Sequence, residues 1–378
     1  MSKPKFEVAD IIHLHNKAFE QQFTPIVHIQ KTLRALTLCR TKALGGHITK
    51  CQSCKTEKTS YNSCRNRHCP KCQVTNRERW ILERESELLP VPYYHIVFTL
   101  PHCFNDLLPL YAKEVYSSLF KASWLTIQSF ATDPQYLGAK TGMISILHTW
   151  GQQMWLHPHV HCIVPNGGIT KDKKWKTGKN KDKYLYPKRA LSMVFRAKFM
   201  EELRKKIRIP QKVAKQAFAK KWVVYAKRPF SSPKTVVEYL GRYTHKIAIS
   251  NHRLKNIDDK TVGFEYKDYK EGGKNKTRTI TGVEFLRRFS SHILPAGFVR
   301  IRHYGFLASR NKPTDLNIAK KDLKEEAWEN IKYSWSQIAK DKLGYNPEMC
   351  PCCKQETLRM IKEILPERGP PFRRLPHA

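Results

Sequence analysis

Short apolar runs bounded by proline or glycine alternate along this chain with stretches of helical periodicity. Residues 6–45 place Ile11, Ile12, Phe19, Phe23, Ile26, Ile29 and Leu33 at three- and four-residue spacings, which predicts helix. Residues 74–89 (VTNRERWILERESELL) predict a charged helix that Pro90 and Pro92 end. Tyr93 to Leu100 reads as a strand closed by Pro101, and residues 105–131 as a helix through Leu107, Leu108, Tyr111, Val115, Leu119 and Phe120. Residues 143–150 (MISILHTW) predict a second strand that runs through Gly151 into QQMWLHPHVHCIVPNGG, residues 152–168. There Cys162-Ile163-Val164 reads as core strand and Pro165-Asn166-Gly167-Gly168 as its turn. A lysine-rich loop (171–183), a basic helical region (187–221), a strand (222–226) and a helix from Ser232 through Tyr243 follow. In that last helix Ser232 suits the cap and Pro233 the first helical position.

Chemistry enters at His159-Val160-His161. On a strand the two imidazoles share a face and Val160 packs beneath. Two neutral imidazoles hold a divalent ion and leave it open on the far side, where it can polarise a ligand. Buried, hydrogen-bonded strand histidines are the other reading. Gln152, brought back by a short hairpin, is a candidate third ligand or else a surface glutamine. Tyr239 and Tyr243 lie four apart, so both leave one helical face, either toward a site or toward the core. Between them Gly241 marks a close approach or a fraying end.

The cysteines form a second pattern: Cys51-x-x-Cys54, Cys64, and His68-Cys69-Pro-Lys-Cys72. Each CxxC closes a knuckle whose thiolates face one tetrahedral ion. The expected structural zinc set is Cys51, Cys54, Cys69 and Cys72, with Cys64 and His68 as substitutes. A closed four-ligand site has no vacancy for catalysis and serves to fold a small module. Near the end, CPCC (Cys350, Cys352, Cys353) is a half-site without an evident complement.

Charge changes the picture further. Among 378 residues, Lys+Arg 69 against Asp+Glu 32 gives a formal net charge of +37, an excess that a polyanion such as nucleic acid would neutralise. Eight Trp, sixteen Tyr and seventeen Phe can stack on unpaired bases as well as fill a core. Arg65, Arg67 and Lys71 suit phosphate contacts or a solvated surface. No stretch approaches the roughly 20 apolar residues of a membrane span, and MSKPKFEVAD lacks a secretory apolar region. The expectation is a cytoplasmic protein with metal-ligating rather than bridged cysteines.

Taken together, HPHVH preceded by TWGQ and followed by PNGG resembles the histidine–hydrophobe–histidine (HUH) endonucleases. YLGRYTHKIAIS resembles their two-tyrosine element, and SCRNRHCPKCQ the zinc-binding segment of the rolling-circle insertion-sequence transposases. The likeness continues through GFVRIRHYGFLASRNK and covers most of residues 10–310. It implies an α/β (α+β) fold: an antiparallel sheet with the histidine pair on a central strand, the tyrosine helix packed across it, and a small N-terminal zinc-binding module. The expected divisions are 1–89 (helical and zinc-binding), 90–310 (catalytic) and a basic tail 311–378.

By the same resemblance His159, His161 and Gln152 hold Mg²⁺ or Mn²⁺, and Tyr239 and Tyr243 are nucleophiles that form 5′-phosphotyrosine links. Arg65, Arg67, Lys71, Arg242, Arg300 and Arg302 are expected DNA contacts. The implied partners are single-stranded element ends and target in the bacterial nucleoid. With no GxxxxGK[ST] loop in the chain, unwinding falls to a partner helicase. A plasmid replication initiator and a non-catalytic zinc-dependent DNA-binding protein are the rival readings. A tyrosine recombinase would show HxxR and a zinc deaminase HxE; no histidine here has Arg three positions later, and HPHVH has no Glu.

Overall fold

The computed structural model describes residues 4–179, 185–227, 230, 235, 236, 239, 241 and 247–367. In chain order the strands are β1 (Gly46–Cys51), β2 (Glu57–Tyr61), β3 (Tyr93–Thr99), β4 (Gly142–Trp150), β5 (Leu156–Pro165), β6 (Gly167–Ile169) and β7 (Trp175–Thr177). They continue as β8 (Val224–Ala226), β9 (Leu254–Ile257), β10 (Thr261–Asp268), β11 (Lys274–Thr281), β12 (Ile301–Gly305) and β13 (Leu358–Ile364). The helices used below are α1 (Val8–Phe23), α2 (Val27–Thr37), α3 (Gln73–Glu85), α4 (Leu108–Thr132), α5 (Lys188–Arg204), α6 (Gln211–Ala219) and α7 (Gly282–Ser291). Thr235, Val236, Tyr239 and Gly241 are helical; Ser232, Pro233, Arg242 and Tyr243 lie outside the described residues.

The central sheet has the order β12-β4-β5-β3-β8 and every neighbouring pair is antiparallel. Its middle strands are apolar on both faces, as strands covered on both sides must be. One face carries Tyr94, Ile96, Phe98, Val160, Cys162, Val164, Met143 and Leu147, packed in the largest core. α4 and α5 supply Leu119, Phe120, Ile127, Phe195 and Phe199 to that core. In α4, Ser123 and Thr126 return their hydroxyls to the carbonyls of Leu119 and Ala122 (2.8 and 2.7 Å), which satisfies both groups inside the core. The opposite face packs Ile144, Ile146 and Ile163 against Trp80 and Ile81 of α3, with Val236 and Phe306.

The N-terminal helices share a core with residues far along the chain: Val8, Ile11, Phe19 and Leu33 cluster with Phe264, Phe285 and Phe289. The end of the chain returns as well. β13 pairs with β1 from Gly46↔Ile364 to Cys51↔Leu358, giving a sheet of order β13-β1-β2. No helix among the described residues is long and apolar enough to cross a membrane.

Candidate active site and cysteine clusters

The histidine pair lies on β5, the middle strand of the central sheet, and its ladder partners complete the site. His148 of β4 stands opposite His159, and Ile146 opposite His161. Directly opposed residues share a face, so three imidazoles converge. The ligating atoms of His148, His159 and His161 all lie within 4.8 Å of one another. Val160 beneath them is fully buried. His159 Nδ1 lies 2.6 Å from the carbonyl oxygen of His157. A carbonyl only accepts, so Nδ1 carries the proton and Nε2 keeps its lone pair. Burial pulls the pKa of His159 down to about 4, so the ring is neutral and ligand-competent at pH 7. Three imidazoles converging from one sheet face fit a divalent ion with open positions.

His95 of β3 connects this trio to the tyrosine element. Its Nε2 lies 2.8 Å from His161 Nδ1, and the two rings are stacked at 5.1 Å between centroids. The other side of His95 meets Tyr239 edge-on, 5.2 Å away. Phe230 also packs on Tyr239 (5.1 Å), and Lys227 Nζ sits 5.7 Å from the tyrosine ring centre. The helix bearing Tyr239 comes this close because Gly241 has no side chain: a Cβ there would fall 2.3 Å from Ile81 Cδ1 of α3. Burial, with Lys227 and His159 nearby, lowers His95 to about 4. His148, His95 and Lys227 were not singled out by the sequence pattern. His148 and His95 sit inside strands whose apolar content alone explains them.

Gln152, expected as a third ligand, makes its observed contacts elsewhere. Its amide nitrogen reaches Tyr269 Oη (3.4 Å) and its carbonyl accepts from Arg253. The loop after β4 is held against β9–β11 and α7 instead. Arg278 donates to the Gln153 side chain, Arg288 to the Gln153 carbonyl (3.2 Å), and His292 Nε2 to the Met154 carbonyl (3.0 Å). Those donors hold the loop in place, and ladder register supplies His148 as the third group.

The cysteines also regroup. Cys51 and Cys54 do not meet Cys69 and Cys72. Cys39, Cys64, Cys69 and Cys72 form one four-thiol cluster, and Cys51, Cys54, Cys350 and Cys353 another. In the first, Cys72 Sγ lies 3.5 Å from Cys39 Sγ and 3.6 Å from Cys64 Sγ. A zinc–thiolate tetrahedron with bonds of about 2.3 Å has edges of about 3.8 Å, so the four sulfurs suit one zinc ion. Contacts within the cluster push the Cys39 and Cys72 thiols down and the Cys64 and Cys69 thiols up, as expected of four sulfurs sharing protons at close range. Cys39, just past α2, has no CxxC partner and so gave no signal. His68 is buried and accepts from the Leu294 amide (3.3 Å) rather than joining the cluster.

Several expected DNA contacts have structural duties. Arg67 donates to the carbonyls of Phe298, Leu294 and Pro295, tying the cysteine segment to the loop before β12. Lys71 pairs with Glu7 (2.7 Å). Arg302 covers the rings of Phe120 and Phe298 at 4.4 and 5.1 Å. Arg300 is buried deeply enough to lower its pKa to about 10, its guanidinium 5.9 Å from the Trp150 ring. Arg65 is exposed, and Arg242 is outside the described residues.

Comparison with known proteins matches two family models, "Putative transposase" over residues 142–314 and "Transposase zinc-binding domain" over residues 11–100. The chain is 38% identical to "Putative transposase y4qJ" of Sinorhizobium fredii (strain NBRC 101917 / NGR234), covering 98% of each chain. It is 28% identical to the transposase for insertion sequence element IS801 of Pseudomonas savastanoi pv. phaseolicola, over 74% of this chain and 70% of that one. Among solved structures, the conjugative relaxase TrwC in complex with oriT DNA matches 32% of this chain and 47% of its own. That match has 17% identity and a TM-score of 0.22. The full-length likeness and the two matched domains show that the chain belongs to the rolling-circle insertion-sequence transposases of the two-tyrosine class, with an N-terminal zinc-binding domain.

Proposed function

We propose that this transposase cuts and rejoins single-stranded DNA at the His148–His159–His161 cleft, with Tyr239 or Tyr243 as nucleophile. The observation that carries the reading is the unbroken line from the three imidazoles through His95 to Tyr239. His148, His159 and His161 would hold a divalent ion, and that ion would supply charge stabilisation at the scissile phosphate. The expected ion is Mg²⁺ or Mn²⁺, with positions left open for water and phosphate oxygens, the ligands both ions favour.

A phenol with an ordinary pKa near 10 needs help to attack at neutral pH. Lys227 Nζ, 5.7 Å from the Tyr239 ring centre, places a positive charge beside that ring. The phenolate oxygen attacks phosphorus, the bond to the 3′ oxygen breaks, and that oxygen takes a proton to leave as a 3′-hydroxyl. One phosphoester bond replaces another, so a later 3′-hydroxyl can reverse the step and join strands. Two tyrosines four residues apart in the chain would allow two strand ends to be held in turn. Exposed Tyr225 of β8, near His95, and exposed Trp155 and Tyr269 offer stacking surfaces for unpaired bases. Arg65 and Arg242 are left to meet phosphates. Unwinding of the duplex would come from a partner helicase.

The test is incubation with single-stranded oligonucleotides of the element ends in Mn²⁺ or Mg²⁺, followed by SDS gels. A protein–DNA adduct that brief EDTA treatment prevents, and added Mn²⁺ restores, is expected. Binding without any adduct in either metal would favour a non-catalytic DNA-binding role.

A further inference from the structure

We propose that Cys51, Cys54, Cys350 and Cys353 bind a second zinc ion, and that this ion fastens the end of the chain to its N-terminal module. The two cysteine pairs lie almost three hundred residues apart. Cys350 and Cys353 fall outside both matched family domains, which cover residues 11–100 and 142–314. Nevertheless their four sulfurs lie within 4.8 Å of one another. Cys51 Sγ is 3.5 Å from Cys353 Sγ, and Cys54 Sγ is 3.5 Å from Cys350 Sγ.

The backbone of each pair is built the same way. After Cys51-Gln-Ser-Cys54 comes Lys55 with φ 63°, and after Cys350-Pro-Cys-Cys353 comes Lys354 with φ 61°. The Lys55 amide donates to the Cys51 carbonyl at 3.1 Å, and the Lys354 amide to the Cys350 carbonyl at 3.0 Å. The Cys51 amide donates to Thr56 (2.9 Å), and the Cys350 amide to Gln355 (2.8 Å). A left-handed lysine is a strained choice for a residue with a Cβ. Finding it twice, at the same step after a CxxC, marks two matching knuckles aimed at one centre. Both knuckles lie at ends of paired strands, since β1 ends at Cys51 opposite Leu358 of β13. Gln52 donates to the Thr357 carbonyl across the same junction (2.9 Å).

Four thiols packed this closely in a small satellite cluster have little apolar surface to hold them. A bound ion supplies what packing does not: zinc sites of this kind contribute folding free energy outright. Four thiols would lose up to four protons on binding Zn²⁺, so occupancy should fall in acid. Cys352, between the two proposed ligands, is exposed and serves as an internal control.

The test measures zinc per full-length chain by mass spectrometry, together with cysteine alkylation and hydrogen exchange. C350S/C353S should lose one zinc equivalent and the exchange protection of residues 46–51 and 358–364, while residues 142–165 stay protected. C352S should keep its zinc. In the unmutated chain iodoacetamide should modify Cys352 quickly, and Cys350 and Cys353 only after a strong chelator. That footprint decides the matter even if the double variant fails to fold. Unchanged zinc in C350S/C353S, or alkylation of Cys350 and Cys353 as fast as Cys352 without chelator, would overturn the proposal.

Discussion

His95 Nε2 sits 2.8 Å from His161 Nδ1 while the same imidazole meets Tyr239 edge-on at 5.2 Å. One side chain thus touches both halves of the proposed chemistry. With Nδ1 of His161 engaged, its other nitrogen is the one directed to a metal, the arrangement by which outer partners orient ligating histidines.

Replacing His95 by Phe should therefore weaken Mn²⁺ binding by about 10–100-fold, the usual effect of losing such a partner. His95→Gln, which keeps a polar partner, should recover part of the loss. Mn²⁺ titrations followed by electron paramagnetic resonance check this directly. Unchanged affinity in His95→Phe would mean that His95 does not act through His161.

The third ligand is the next point of test. His148→Ala should abolish adduct formation and Mn²⁺ binding, whereas Gln152→Ala should leave both near the unmutated level. The opposite outcome would restore Gln152 to the site. Single-strand binding by His148→Ala should persist, and its affinity should fall with salt by a log–log slope of about −0.7 per phosphate neutralised, as in the unmutated chain.

Gly241 gives a packing test. Gly241→Ala adds a Cβ that would fall 2.3 Å from Ile81 Cδ1, and overpacking of this kind costs about 1–3 kcal/mol. Ile81→Ala in the same chain should remove the clash, so denaturation midpoints of the double variant should exceed the value expected from adding the single effects. Strict additivity would show that the two residues do not meet.

Acid should destabilise the chain from within. Burial lowers His292 to about 4 and His303 to about 3, against an ordinary value near 6.5. The unfolded chain accepts a proton near pH 6.5 that the folded chain refuses until lower pH. Stability is therefore intact above pH 6.5 and declines as pH falls toward 4. Denaturant titrations at pH 7.5, 6 and 5 should show this, and His292→Gln should reduce the dependence.

The strands and their faces were legible in the sequence because each is an apolar run ending at Pro, Gly or a polar turn. β3, β4 and β5 form close to the expected residues, with the histidine pair on the middle strand. His148 was not legible because it depends on ladder register. The ladder runs in constant register from Ile144↔Ile163 to His148↔His159 and shifts only beyond His148, and no local pattern encodes that alignment. The cysteine grouping failed for a related reason. A CxxC names two ligands of an ion, but only the tertiary fold chooses the other two: Cys39 and Cys64 for one pair, Cys350 and Cys353 for another. Arginines misled in the same way, since Arg67 and a phosphate-binding arginine look alike until the carbonyls of residues 294–298 are seen around it.

The most direct measurement is mass-spectrometric mapping of the peptide left on DNA after cleavage of a single-stranded substrate. The unmutated protein should carry a nucleotide phosphate on Tyr239 or Tyr243. Tyr239→Phe with Tyr243→Phe should fold, bind single strands and form no adduct, because phenylalanine offers no attacking oxygen. An adduct at the unmutated level in that double variant, or one mapped to any other residue, would contradict the proposed mechanism.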